Sequence, residues 1–98
     1  MIKNTVLVLY TQTTTYDSEN NPVKVWKSVR TIAGNLQPKS LTTAELAQYG
    51  ISLQAANTAV FFFDHDDDVA VGTRLGSYNV RAVNVWPSHS EAILEPLP

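Results

Sequence analysis

The chain has 98 residues, 44% of them hydrophobic, with seven basic and nine acidic side chains and a formal net charge of −2. A chain this short has room for one core and buries roughly 60 to 65% of its unfolded surface, and its slightly negative balance supplies no overall field toward nucleic acid or an anionic membrane. With no cysteine, a disulfide framework, thiolate metal ligation and thiol redox chemistry are excluded.

No basic leader precedes a long apolar run and no apolar stretch reaches membrane-spanning length, so the sequence reads as a soluble, unprocessed single domain over 1–98. Thr5 to Tyr16 is rich in β-branched and aromatic residues and favours a strand. Asp17-Ser-Glu-Asn-Asn-Pro22 interrupts it. Strand character resumes from Val23 to Leu36, with Val23, Val25 and Val29 on one parity and Trp26 and Ile32 on the other, and ends around Gly34 and Pro38. Two such arms form a hairpin reaching ~40 Å at ~3.3 Å per residue, whereas a compact domain of this length has a radius of gyration of only ~12.5 Å. The tip, Thr13 to Pro22, is therefore expected to protrude, and its polar residues need no cover from their own domain. Thr14, Tyr16, Asp17, Glu19, Asn20 and Asn21 are the candidate contacts to a neighbouring subunit or partner.

One short helix is expected from Thr42 to Tyr49: Thr42 and Glu45 make a capping box, Leu41 and Leu46 a hydrophobic staple, and Gly50 the stop. Two turns do not hold by themselves, so Leu46 and Tyr49 are expected to pack, closing one end of the β structure. Asn57 to Asp64 is a third strand whose consecutive Val60-Phe61-Phe62-Phe63 must point to both faces. Phe61 and Phe63 share one face and Val60 and Phe62 the other; one face fills the core, and the second is expected to meet another subunit, which makes Val60 and Phe62 further candidate contacts.

Asp64-His65-Asp66-Asp67-Asp68 holds hard and borderline ligand types, but it lacks the glycine and distal glutamate of a calcium loop and reads as a solvated turn, with strand character returning at Val69 to Val71. From Val71 to Trp86 the chain reads as a strand pair turned by Gly76-Ser77, glycine suiting the first central position of a type II′ turn. Tyr78, Val80 and Ala82 share a face and the apolar phase then jumps to Val83 and Val85, which calls for a bulge or a two-sided barrel stave. Ser88-His-Ser90 is a turn before a last strand, Ala92 to Leu97. The expected fold is mainly β: a small closed or partly open antiparallel barrel with a long protruding hairpin and one short α-helix.

Catalytic chemistry has little to stand on. His89 is flanked by Ser88, Ser90 and Glu91, but sequence neighbours do not make a triad and no G-x-S-x-G elbow is present. Lys24, Lys27 and Arg30 near Trp26 mix basic and aromatic residues as single-strand binders do. Lys24 and Arg30, however, alternate with Val23, Val25 and Val29 as in a strand wet on one face, and Lys27 falls on the apolar parity. Arg74 and Arg81 read as solvated or as paired across a subunit contact. No cofactor, metal or enzymatic activity is expected.

The order of several short motifs resembles the small head-closure (stopper, or head-tail connector) proteins of long-tailed bacteriophages. The residues carrying it are Asp17-x-x-x-Asn21-Pro22 at the hairpin tip, Gly34-Asn-Leu-Gln-Pro38, a short helix ending at Tyr49-Gly50, Gly72-Thr-Arg-Leu75, Tyr78-x-Val80 and Ala92-x-Leu94. The resemblance covers most of the chain, from about Tyr10 to Leu94; Asn20 stands where the tip commonly carries glycine, and Phe61 to Asp68 matches nothing in the pattern. The resemblance implies a structural virion protein, made in the host cytoplasm. Its copies would form a ring below the portal and adaptor proteins, retain packaged DNA that passes through without sequence-specific binding, and offer a surface to tail terminator proteins. A tail-side joining or completion protein, and an OB-like binding module for an oligonucleotide or peptide, are the alternatives.

Overall fold

The computed structural model describes residues 2–39, 43–50 and 58–97, the side chains of Thr43 and Leu46 excepted. The elements are β1 (Thr5–Tyr16), β2 (Pro22–Pro38), α1 (Thr43–Gln48), β3 (Ala59–Phe63), β4 (Arg74–Leu75), β5 (Tyr78–Val85) and β6 (Ser90–Pro96). Six antiparallel strands close into a barrel in the order β1-β2-β3-β6-β5-β4, β4 returning to β1 through Leu9↔Leu75 and Tyr10↔Arg74. Closure removes the exposed sheet edges a small open sheet would have to protect.

Alternation along the strands builds the interior. Leu9, Ile32, Phe61, Phe63, Leu75, Val80, Ala92 and Leu94 point inward and are buried, with Phe61 and Phe63 fully covered and stacked at 5.8 Å between ring centroids. Burial of each such side chain is worth roughly 1.5 to 3 kcal/mol. The expected split of the aromatic strand holds: Phe61 and Phe63 enter the core, while Val60 and Phe62 lie on the outer wall.

That outer wall corrects two expectations. Val60 is only 5% exposed and Ile93 fully buried, because they cluster with Phe62, Ala82 and Tyr49 of the same chain. The second apolar surface that Val60 needs is thus supplied at least in part within the protomer. Tyr49, just past α1, packs on the side of the barrel and does not close its end. Gly50, at φ 69°, terminates the helix in the left-handed region as expected. The capping residue Thr42 and the staple residue Leu41 lie outside the described residues, as does the side chain of Leu46.

A bulge resolves the phase jump in β5: Val80 pairs with Leu94 and Ala82 with Ile93, leaving Arg81 as the extra residue. Val80 and Val83 therefore both reach the core, and Ala82 moves to the outer cluster. The Gly76-Ser77 turn forms between Leu75 and Tyr78, with Gly76 at φ 57°. Strand character does not return at 69–71. Instead Val69, 3% exposed, anchors an irregular loop that ends in the two-residue β4.

Beyond Tyr10 and Trp26, β1 and β2 leave the barrel and pair only with each other, out to Tyr16↔Pro22. Every residue from Gln12 to Val25 is exposed. The arm lengthens the molecule to 46 × 28 × 20 Å and its radius of gyration to 14.6 Å, above the ~12.5 Å of a compact chain. A second bulge, opposite Leu9 and Tyr10 and placing Val29 as the extra residue, lies where arm and barrel meet.

Candidate functional site

The arm's tip is built by one carboxylate. Asp17 Oδ1 accepts from the backbone N–H groups of Glu19 (2.9 Å) and Asn21 (2.8 Å), while the Asp17 N–H donates to the Asn21 carbonyl and the Asn20 N–H to the Asp17 carbonyl. Asparagine and aspartate favour such turns because their short side chains bond the nearby backbone. Asn20 takes φ 65°, a left-handed conformation that asparagine tolerates. Thr14, Tyr16, Asp17, Glu19, Asn20 and Asn21 are thereby brought together at the arm's far end, all exposed, with Tyr16 at 67% the most apolar of them.

Phe62, the other candidate contact, sits apart on the barrel wall. It is half-buried and, with Ile2, Asn35, Gln37, Ser88 and His89, lines an open groove of about 550 Å³. The His89 ring meets Phe62 edge-on at 5.6 Å, and Ser88 Oγ lies 2.8 Å from His89 Nδ1. Asp64 also lines this groove, but its carboxylate is held by Lys3 at 2.6 Å. Lys3 keeps it below the ordinary carboxylate value. A carboxylate tied to an ammonium in this way does not orient His89 as a general base.

The acidic loop is tied down by cations of the chain itself. Arg30, read from sequence as a solvated strand residue, reaches Asp66 at 2.5 Å and Asp68 at 2.8 Å. These bonds, Asp66 first, raise the guanidinium pKa further. Asp66 also accepts from the Asp68 N–H, closing the turn. His65 Nε2, which carries the proton when it donates to carbonyls, bridges to Trp86 O (2.5 Å) and His89 O (3.0 Å) and so joins this loop to the 86–89 turn. Among the described residues no group of three or more histidine, aspartate or glutamate side chains is spaced to hold a metal ion.

Sequence reasoning also missed the partners of two arginines. Arg74 lies over the Trp26 ring at 4.0 Å and donates to Asn79 Oδ1, and Arg81 pairs with Glu95 at 3.0 Å across β5 and β6. The guanidinium already occupies a face of the indole that a stacked base would need. The only sequence signals for these pairs were charge complementarity and register, and register is visible only once the barrel is closed. Among the described residues no helix is long and apolar enough to cross a membrane. No protein-family model matches the chain, and no curated protein matches it.

Proposed function

We propose that the chain is a structural virion protein of a long-tailed bacteriophage, a ring-forming component of the head-tail connector that closes the DNA-filled head and presents a docking surface to the tail. One observation carries this reading: a closed barrel bears an arm whose residues 12–25 contribute nothing to the core, are exposed throughout, and yet end in a turn ordered by Asp17. A structured element that does not stabilise its own domain has its use in contact with something else. Repetition around a symmetry axis multiplies a weak contact of this kind into a firm assembly. The balance of −2 suits a ring through which DNA slides without sticking. A tail-side joining protein would use the same arm in the same way.

The test is to replace residues 14–24 with Asn-Gly, closing the hairpin directly across the Thr13↔Val25 pair. The shortened protein is expected to melt close to the parent temperature while particles carrying it fail to join heads to tails. Normal infectious particles would refute the proposal, and a collapsed barrel would show that the arm serves its own domain.

A further inference from the structure

The barrel abolishes its edges, but the arm does not. β4 covers the outer edge of β1 only at Leu9 and Tyr10, and the chain preceding β4 turns away, with the Gly72 N–H directed to the Val80 carbonyl. From Gln12 to Tyr16, β1 therefore has a ladder partner on one side, β2 from Pro22 to Trp26. Backbone groups of successive residues in an antiparallel strand face alternate sides. At the barrel end the Val8 carbonyl accepts from the Gly76 N–H, so Val8 faces β4; at the tip the Asp17 N–H bonds Asn21, so Asp17 faces β2. Both ends give the same phase along this unbulged strand. Thr11, Thr13 and Thr15 bond β2, and the N–H and C=O groups of Gln12, Thr14 and Tyr16 point away from it. By the same register, Lys24 and Trp26, opposite Thr14 and Gln12, turn theirs to the other flank of the arm.

The two flanks differ in chemistry. From Thr5 to Tyr16 there is no charge, proline or glycine, which is to say none of the devices that keep an edge from pairing. The β2 flank carries Lys24 and Lys27 behind Pro22. We infer that the free edge of β1, through the backbone of Gln12, Thr14 and Tyr16, takes as its next strand the β2 flank, Lys24 to Ser28, of a second copy of this chain. This rests on the reading of the arm as an assembly contact and says how that contact is made. With neighbouring arms pointing the same way, β1 of one copy and β2 of the next run antiparallel, and the contact is heterologous, so it repeats around an axis into a continuous sheet of arms. Pairing β2 with β2 would set lysine against lysine. Pairing β1 with β2 sets the uncharged strand against the lysine-bearing one, and brings Asp17 and Glu19, on the β1 side of the turn, toward the neighbour's lysines.

Thr14→Pro removes one outward N–H and leaves the donors of Thr13 and Thr15 to β2 intact, a placement edge strands tolerate; Lys24→Pro does the same on the opposite flank. In sedimentation velocity up to about 1 mM, the parent chain is expected to associate beyond a dimer, and amide exchange at Gln12, Thr14 and Tyr16 to slow about tenfold or more on association. Each proline variant alone should stay monomeric, because every β1–β2 contact would then use one damaged edge, and an equimolar mixture of the two should form a heterodimer through the one undamaged pair of edges. A parent chain that stays monomeric, an assembly that leaves those three amides unprotected, or folded variants that associate like the parent would overturn the inference. Should Thr14→Pro loosen the arm, seen as lost protection at Thr13 and Thr15, the parent exchange pattern decides. Rings that form normally in solution while arm-shortened particles still join heads to tails would refute the virion reading and leave the strand pairing standing.

Discussion

Replacing Gly34 with alanine tests the packing at the centre of the barrel. Gly34 lies on β2 between Thr5 of β1 and Phe63 of β3, with an ordinary negative φ, so conformational freedom is not the reason for glycine there. Space is. A Cβ built at this position would stand 2.6 Å from Phe61 Cζ and 2.9 Å from Phe61 Cε1, and would also run into the backbone carbonyl oxygen of Phe62. The ring cannot swing clear, because Phe61 is fully buried and stacked on Phe63 with an interplanar angle of 18°. The strand cannot easily retreat, because Asn4 bonds both the Gly34 carbonyl and the Leu36 N–H. Overpacking of this kind costs about 1 to 3 kcal/mol, and the rigid backbone contact places it toward the upper end. Reduced freedom of the unfolded chain returns about 0.4 to 1 kcal/mol. The net loss is about 2 kcal/mol, a fall in Tm of about 8 to 16 °C for a domain of this size. Urea denaturation measures it, and a double-mutant cycle with Phe61→Leu should recover part of the loss by trimming the ring. An unchanged or higher Tm for Gly34→Ala would refute the account of why glycine is there.

Three further outcomes follow from the same packing and charge arrangement. Phe61→Ala should destabilise the chain by about 3 to 5 kcal/mol, whereas Phe62→Ala, on the half-buried outer wall, should cost well under half of that; equal losses by denaturant titration would contradict the two-sided reading of β3. Because Lys3 lowers the folded-state pKa of Asp64 from its ordinary value of 3.8, the pair's stabilisation is present above that value and lost as pH falls through the lower folded-state one. Lys3→Ala should raise the Asp64 pKa in a carboxylate NMR titration, and raised salt should weaken the effect of this exposed pair. Chelator should leave the melting temperature unchanged, since Arg30 supplies the positive charge that Asp66 and Asp68 require; a fall of more than a few degrees would reveal a structural ion.

Local chemistry in the sequence was enough to determine the strands of the hairpin, the Gly76-Ser77 turn, the helix stop at Gly50, the phase break in β5 and the division of Phe61 and Phe63 from Val60 and Phe62. Each of these follows from period-2 alternation or from the φ a residue permits, and both are set by near neighbours in the chain. What the long-range contacts decided could not be read that way. The phase break became a bulge at Arg81 because β6 fixes the register opposite it. Arg30 met Asp66 and Asp68, 36 and 38 residues away, because the antiparallel β2–β3 pairing ends at Gly34↔Phe63 and carries the following loop back along β2. Val60, which alternation alone sends outward as if toward a partner, is covered in part by Tyr49 and Ile93 of its own chain. The open flank of β1 exists because β4 stops after two residues. Strand identity is a local property, but which edges, charges and apolar faces remain unsatisfied is a balance over the whole closed barrel, and tertiary structure alone settles it.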